Sequence, residues 1–167
     1  MKKILFVCSG NTCRSPMAAA IFNDMCNKEN LDFTVQSAGV ATVNGLPAST
    51  NSIKALEEIG LDLTSHKSTF LPDVDIFEFD YICVMNYNQA TIIESMGVER
   101  GKIYILQSDK KQSKYDFETG ISDPYGGDIN VYRACRDELL SAVGKLVSNL
   151  KNCDKSKENG GEADADK

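Results

Sequence analysis

Residues 6–16 read FVCSGNTCRSP: an apolar run ends in Cys8, and Arg14 follows six positions later, past a glycine, an asparagine and a second cysteine. A thiol and a guanidinium at this spacing suit chemistry on an anion. If the segment wraps between a strand and a helix, the backbone N–H groups of Ser9, Gly10, Asn11, Thr12 and Cys13 converge on one point. The helix that begins near Arg14 adds the positive end of its dipole. Such a cradle binds phosphate and stabilises a thiolate at its centre, which makes Cys8 a candidate nucleophile. Arg14 is a planar fork of donors that can hold two oxygens of a tetrahedral phosphoryl group, which a lysine cannot match. Ser15 is placed to donate a hydroxyl hydrogen bond to the sulfur when it becomes the leaving group. Gly10 suits a tight backbone path, Asn11 tolerates left-handed conformations, and Pro16 needs no N–H in a first helical turn.

Plainer readings exist for the same residues. A cysteine at the end of a buried strand is often only a small core residue, and Cys-x5-Arg alone is a loose pattern. The joint occurrence of strand, cysteine, glycine, arginine, serine, proline and helix within eleven residues favours the chemical reading. Cys8 and Cys13 also have metal-like spacing. The chain has one histidine and no second close cysteine pair, so no metal or other cofactor is expected.

The elements around this loop follow from periodicity. Lys3–Val7 reads as a short buried strand, and Ser15–Cys26 places Met17, Ile21, Phe22 and Met25 near helical spacing. Phe33–Gln36 reads as a second strand ended by Ser37-Ala38-Gly39, followed by a helix over Ala48–Ile59 closed by Gly60. Asp80–Met85 reads as a third strand, 88–96 as a helix closed by Gly97, and Lys102–Leu106 as a fourth strand. After a polar loop containing Asp123-Pro124, Ile129–Leu150 shows a long amphipathic pattern. Strands alternating with helices imply an α/β fold: a four-stranded parallel sheet in three layers, doubly wound with helices on both faces, and ligands at the carboxyl ends of the strands. Cys8 sits at such an end.

With 167 residues the chain suits one domain. It is expected over 1–151, with a disordered polar tail over 152–167, where apolar residues almost vanish. The opening MKKILFVC turns polar at Ser9 without a small-residue cleavage site, so no secretory signal is expected, and no stretch approaches the ~20 apolar residues of a membrane span. A cytoplasmic monomer whose six cysteines are reduced follows as the expectation. A net charge of −6 without a basic cluster argues against nucleic acid as a partner.

Val7-Cys8-Ser9-Gly10-Asn11-Thr12-Cys13-Arg14-Ser15-Pro16-Met17-Ala18, with Ser37-Ala38-Gly39, Gly60-Leu-Asp-Leu-Thr-Ser-His66 and Asp123-Pro124-Tyr125, resembles the low-molecular-weight protein-tyrosine-phosphatase family. The resemblance runs from Lys3 to about Leu150. It implies phosphorylated protein substrates, a metal-free mechanism and a covalent cysteinyl-phosphate intermediate. It assigns Cys8 as nucleophile, Arg14 as phosphate clamp, and Asp123 as general acid and then base. It also implies that Asn11, Ser15 and His66 form a hydrogen-bonded network that holds the loop. These roles match what in-line phosphoryl transfer requires: a nucleophile behind phosphorus, donors around its oxygens and a proton source in front.

Two positions depart from the family pattern: Ala19, where a glutamate is usual, and Asn86, where an aspartate is common. Thr12 in the loop, and Tyr125 followed by two glycines, are closer to the bacterial protein-arginine phosphatases of the family, so phosphotyrosine and phosphoarginine both stand as substrates. Tyr125 is either a surface aromatic or one wall of the substrate cleft. Arsenate reductase, which shares the loop, needs two further cysteines on a mobile segment, and Cys83 and Cys135 fall in an expected strand and helix. A non-catalytic phosphate-binding module is opposed by the joint presence of nucleophile, clamp and acid. Finally, Cys13 lies close enough in sequence to Cys8 for peroxide to join them in a protective, reversible disulfide.

Overall fold

The computed structural model of the protein describes residues 1–107 and 120–158. Part of the polar loop before Asp123, residues 108–119, and the end of the polar tail, 159–167, lie outside the described residues. Lys2–Cys8 forms β1, in which Ile4 to Cys8 are all buried. Ile4, Phe6 and Cys8 face one apolar cluster, and Leu5 and Val7 face another. That alternation is what a strand covered on both faces shows. Arg14–Lys28 forms α1, Phe33–Gly39 β2, Thr50–Glu57 α2, Tyr81–Val84 β3, Tyr87–Ser95 α3, Ile103–Ile105 β4 and Ile129–Glu158 α4. The strands pair in the order β2-β1-β3-β4, all parallel. The α/β architecture expected from the sequence is the observed one. On the Cys8 face α1 and α4 supply Met17, Phe22, Leu139 and Val143; on the other face α3 and short 3-10 turns supply Ala90, Ile93, Leu71 and Ile76.

Three boundaries differ from the periodicity reading. β2 does not stop at Gln36 but runs through Ser37 and Ala38 to Gly39, because Cys8 pairs with Gly39 and draws the strand on beside the loop. α2 begins later than Ala48, since the Ser49 side chain accepts from Ser52 N and caps the helix. α4 continues past Leu150 to Glu158, into the segment expected to be a disordered tail. There the apolar stripe has ended, but lysine and glutamate still favour helix. Among the described residues no helix is long and apolar enough to cross a membrane.

Two devices aim the elements at the loop. Glu58, just beyond α2, binds Arg133 and Arg136 of α4 at 2.6 and 2.7 Å, and these guanidiniums hold its carboxyl down at about 2. The sheet order reverses direction at β1: the chain crosses to β2 on one side and returns to β3 on the other. The crevice between the carboxyl ends of β1 and β3 is therefore the place where such a fold receives ligands.

Candidate active site

Beyond β1 the chain turns through Ser9–Cys13 and enters α1 at Arg14 without a side-chain cap on the helix. Asn11 has φ 52°, the left-handed conformation its residue type suggested. This turn points the Asn11 N–H at the Cys8 sulfur, 3.2 Å away, while Ser15 Oγ lies 3.0 Å from the same sulfur. A thiolate there accepts from both. The Asn11 side chain closes the loop from behind: its Nδ2 donates to Ser15 Oγ at 2.8 Å and to Ser37 Oγ at 2.9 Å, and its Oδ1 accepts from Thr69 N at 2.8 Å. His66 Nε2 lies 2.7 Å from the Asn11 carbonyl. A carbonyl only accepts, so Nε2 carries the proton. Asn11 thus contacts both Ser15 and His66.

In front of the sulfur is a cleft of about 230 Å³ lined by Cys8, Ser9, Gly10, Thr12, Cys13, Arg14, Ala41, Asp123 and Tyr125. Asn11, expected with the phosphate-binding residues, is fully buried behind this wall, and its N–H serves the sulfur instead. Arg14 is almost wholly buried, with Nη1 donating to the Ile121 carbonyl at 3.1 Å and Nη2 lying 3.3 Å from Asp123 Oδ2. The contact brings together residues more than a hundred positions apart, the expected clamp and the expected acid, on one cavity. Tyr125 lines the cleft and is 82% exposed.

Several residues support the loop from outside it. A Cβ on Gly39 would lie 2.8 Å from the Ser9 carbonyl and 3.0 Å from Asn11 N, so the loop packs where only glycine fits. Gly120, at φ +145°, touches the end of β3: a Cβ there would meet the Met85 carbonyl at 1.9 Å. The bridge between Asn86 and Gly120, with Ile121 N donating to Met85 O, fixes the segment that presents Ile121 O to Arg14 and Asp123 to the cleft. Cys13 Sγ lies 3.3 Å from Tyr132 Oη and 3.5 Å from Ser49 Oγ, so α4 and α2 both hold the loop. Burial and the Cys13 contact push the Tyr132 phenol up to about 12.

The remaining buried thiols sit apart from this chemistry. Cys83 is fully buried in β3, and burial pushes its thiol up; burial takes Cys135 to about 12 and Cys26 to about 11. Neither Cys83 nor Cys135 is on a mobile segment of the kind an arsenate-reducing relay needs. Among the described residues no group of His, Cys, Asp or Glu is arranged to hold a metal ion.

The sequence from 3 to 157 matches the family model described as "Low molecular weight phosphotyrosine protein phosphatase". The chain belongs to this family. It is 38% identical over 150 residues to a protein-arginine-phosphatase of Bacillus subtilis, covering 89% of this chain and 96% of the relative. It is 32% identical to the low molecular weight protein-tyrosine-phosphatase PtpB of Staphylococcus haemolyticus, covering 88% and 99%. Among solved structures, a mutant of the YwlE arginine phosphatase with a phosphorylated active-site serine superposes with a TM-score of 0.79 at 34% identity, over 89% of this chain and 95% of that one. The protein is accordingly a phosphatase that acts on phosphorylated protein.

Within the family pattern the two departures have local consequences. Asn86 still accepts from Gln89 N at 2.9 Å and caps α3, the part of an aspartate's role that needs only an oxygen. Ala19 lines a hollow of about 250 Å³ beside His66, where a longer side chain would reach.

Two quantitative expectations arise from this phosphatase loop. Ser15→Ala removes a hydrogen bond to the sulfur, and kcat is expected to fall roughly 10- to 100-fold, as for the loss of ~1.5–3 kcal/mol from a bond to a charged group. Steady-state phosphate release measures it. For His66, burial lowers the imidazole below its ordinary 6.5, opposed in part by the bond to the Asn11 carbonyl. The unfolded chain then takes up the proton first as pH falls. The contribution of neutral His66 to stability is complete above 6.5 and is lost as pH drops below it. Thermal melts of His66→Gln should show a smaller loss of Tm than the parent between about pH 7 and 5; an equal loss would place the titration elsewhere.

Proposed function

We propose that the protein hydrolyses phosphorylated side chains by double displacement on Cys8, with phosphoarginine the preferred substrate. The observation that carries the reading is the pair of hydrogen bonds on the Cys8 sulfur, from Asn11 N at 3.2 Å and with Ser15 Oγ at 3.0 Å, at the floor of a cleft walled by Arg14 and Asp123. The phosphoryl oxygens take the loop N–H groups and the Arg14 fork in place of its present partners. The thiolate attacks phosphorus from behind; the S–P bond forms as the bond to the substrate's nitrogen or oxygen breaks, and Asp123 gives its proton to that leaving atom. Water then enters from the vacated side and loses a proton to Asp123. The S–P bond breaks, phosphate leaves, and Ser15 stabilises the returning thiolate. The phosphorylated serine in the related YwlE mutant supports a covalent phosphoryl intermediate at this position.

For phosphoarginine the support is Thr12 on the cleft wall, whose hydroxyl suits a polar guanidinium, together with 38% identity to a protein-arginine-phosphatase against 32% to PtpB. Phosphotyrosine is favoured by the ring of Tyr125 on the same wall. Kinetics on one peptide carrying either modification tests the choice. A kcat/KM larger for phosphoarginine by about 10- to 200-fold is expected. A preference in the other direction would assign the protein to phosphotyrosine.

A further inference from the structure

Beside the reaction cleft lies a second hollow, of about 370 Å³, in the crevice between the ends of β1 and β3. It shares Ser9, Arg14 and Asp123 with the reaction cleft, and its own walls are Asn86, Asn88 and Ser122 with Ile121. The reaction cleft, at about 230 Å³, suits a phosphoryl group and one side chain. A protein substrate must lay the chain on either side of that residue somewhere else. We propose that this hollow is a subsite for the polypeptide flanking the phosphorylated residue, gripped through the amides of Asn86 and Asn88. The inference rests on the phosphatase reading above and adds where the substrate's main chain runs.

Three observations point to peptide as the occupant. Among the described residues the walls that the hollow does not share are uncharged, and the two charges it shares, Arg14 and Asp123, are paired at 3.3 Å. Its own walls therefore offer a passing chain hydrogen bonds from neutral side chains. Asn86 spends its oxygen on the cap of α3, which fixes its orientation and leaves the Nδ2 hydrogens as donors for a carbonyl. Asn88 is exposed, and no hydrogen bond to its amide is formed among the described residues, so it can donate to one peptide group and accept from another. The floor is rigid: Gln89, buried beneath it, accepts from Met85 N at 2.8 Å and donates to Ser9 Oγ at 3.4 Å. The sheet's reversal between β1 and β3 places this crevice where ligands of such folds bind.

The test compares two substrates that differ only in flanking chain: a peptide of about seven residues with a central phosphorylated residue, and the same phosphorylated residue blocked at both ends. The variants are Asn88→Ala and Asn86→Ser, the latter keeping an oxygen to cap α3. The parent protein is expected to favour the peptide through a lower KM. In each variant the ratio of kcat/KM for the peptide to that for the blocked residue is expected to fall roughly 2- to 10-fold, the range of one neutral hydrogen bond, with the change in KM. A ratio that stays at the parent's value, including one in which both substrates weaken equally, overturns the subsite. Failure of the parent protein to turn over either substrate is a different result, and it would fall on the phosphatase reading itself.

Discussion

Cys8→Ser is expected to lower phosphate release by at least about 10⁴-fold, the scale on which enzymes lose rate when the nucleophile is removed. Sulfur and oxygen are close in size, and serine at this position keeps contact with Asn11 N and Ser15 Oγ, which now hold the sulfur at 3.2 and 3.0 Å. The fold has no reason to change, so the melting temperature should stay near the parent's. Binding should survive as well, because the loop amides and Arg14 are untouched. What is lost is chemical: a serine hydroxyl is a much weaker acid and a poorer nucleophile than a thiol. A phosphoryl group that did reach it would form an ordinary ester, slow to hydrolyse. Titration calorimetry with inorganic phosphate, alongside turnover of an aryl phosphate, separates binding from chemistry. Retained turnover in a folded, phosphate-binding variant would remove Cys8 from the mechanism.

The parts of this site that the sequence made legible are the local ones. Strand, loop and α1 follow one another without a break from Lys2 to Lys28, and each has a signal of its own: an apolar run, a left-handed asparagine, a helical apolar period. Support that comes from far along the chain left no such mark. Gly39 stood out as a strand end and as part of a motif, but its physical role, making room for Ser9 and Asn11 beside Cys8, shows only in the packing. Gly120 and Ile121 read as loop residues; their role lies in a bridge to Asn86 and a carbonyl aimed at Arg14. Tyr132 carried no sequence signal of its own, and its hydroxyl meets Cys13. Gln89 resembled any polar helical residue until its burial under Ser9 was seen. The long reach of α4 was missed for a different reason: an apolar stripe marks only where a helix packs, whereas lysine and glutamate carry it onward by backbone propensity alone.

Asp123→Asn tests the remaining part of the mechanism, and its effect should depend on the leaving group. Asparagine keeps the shape and retains an oxygen to face Arg14, now 3.3 Å from the carboxylate, but it has no proton to give. A nitrogen or phenolic oxygen leaving from phosphorus without a proton is a poor leaving group, so turnover of the phosphopeptide is expected to fall about 10²- to 10⁴-fold, the usual contribution of a placed general acid. With p-nitrophenyl phosphate, whose product is stable as an anion, the loss in the first step should be much smaller. Equal losses on both substrates would show that Asp123 serves only to orient Arg14 and would move the acid to another residue of the cleft.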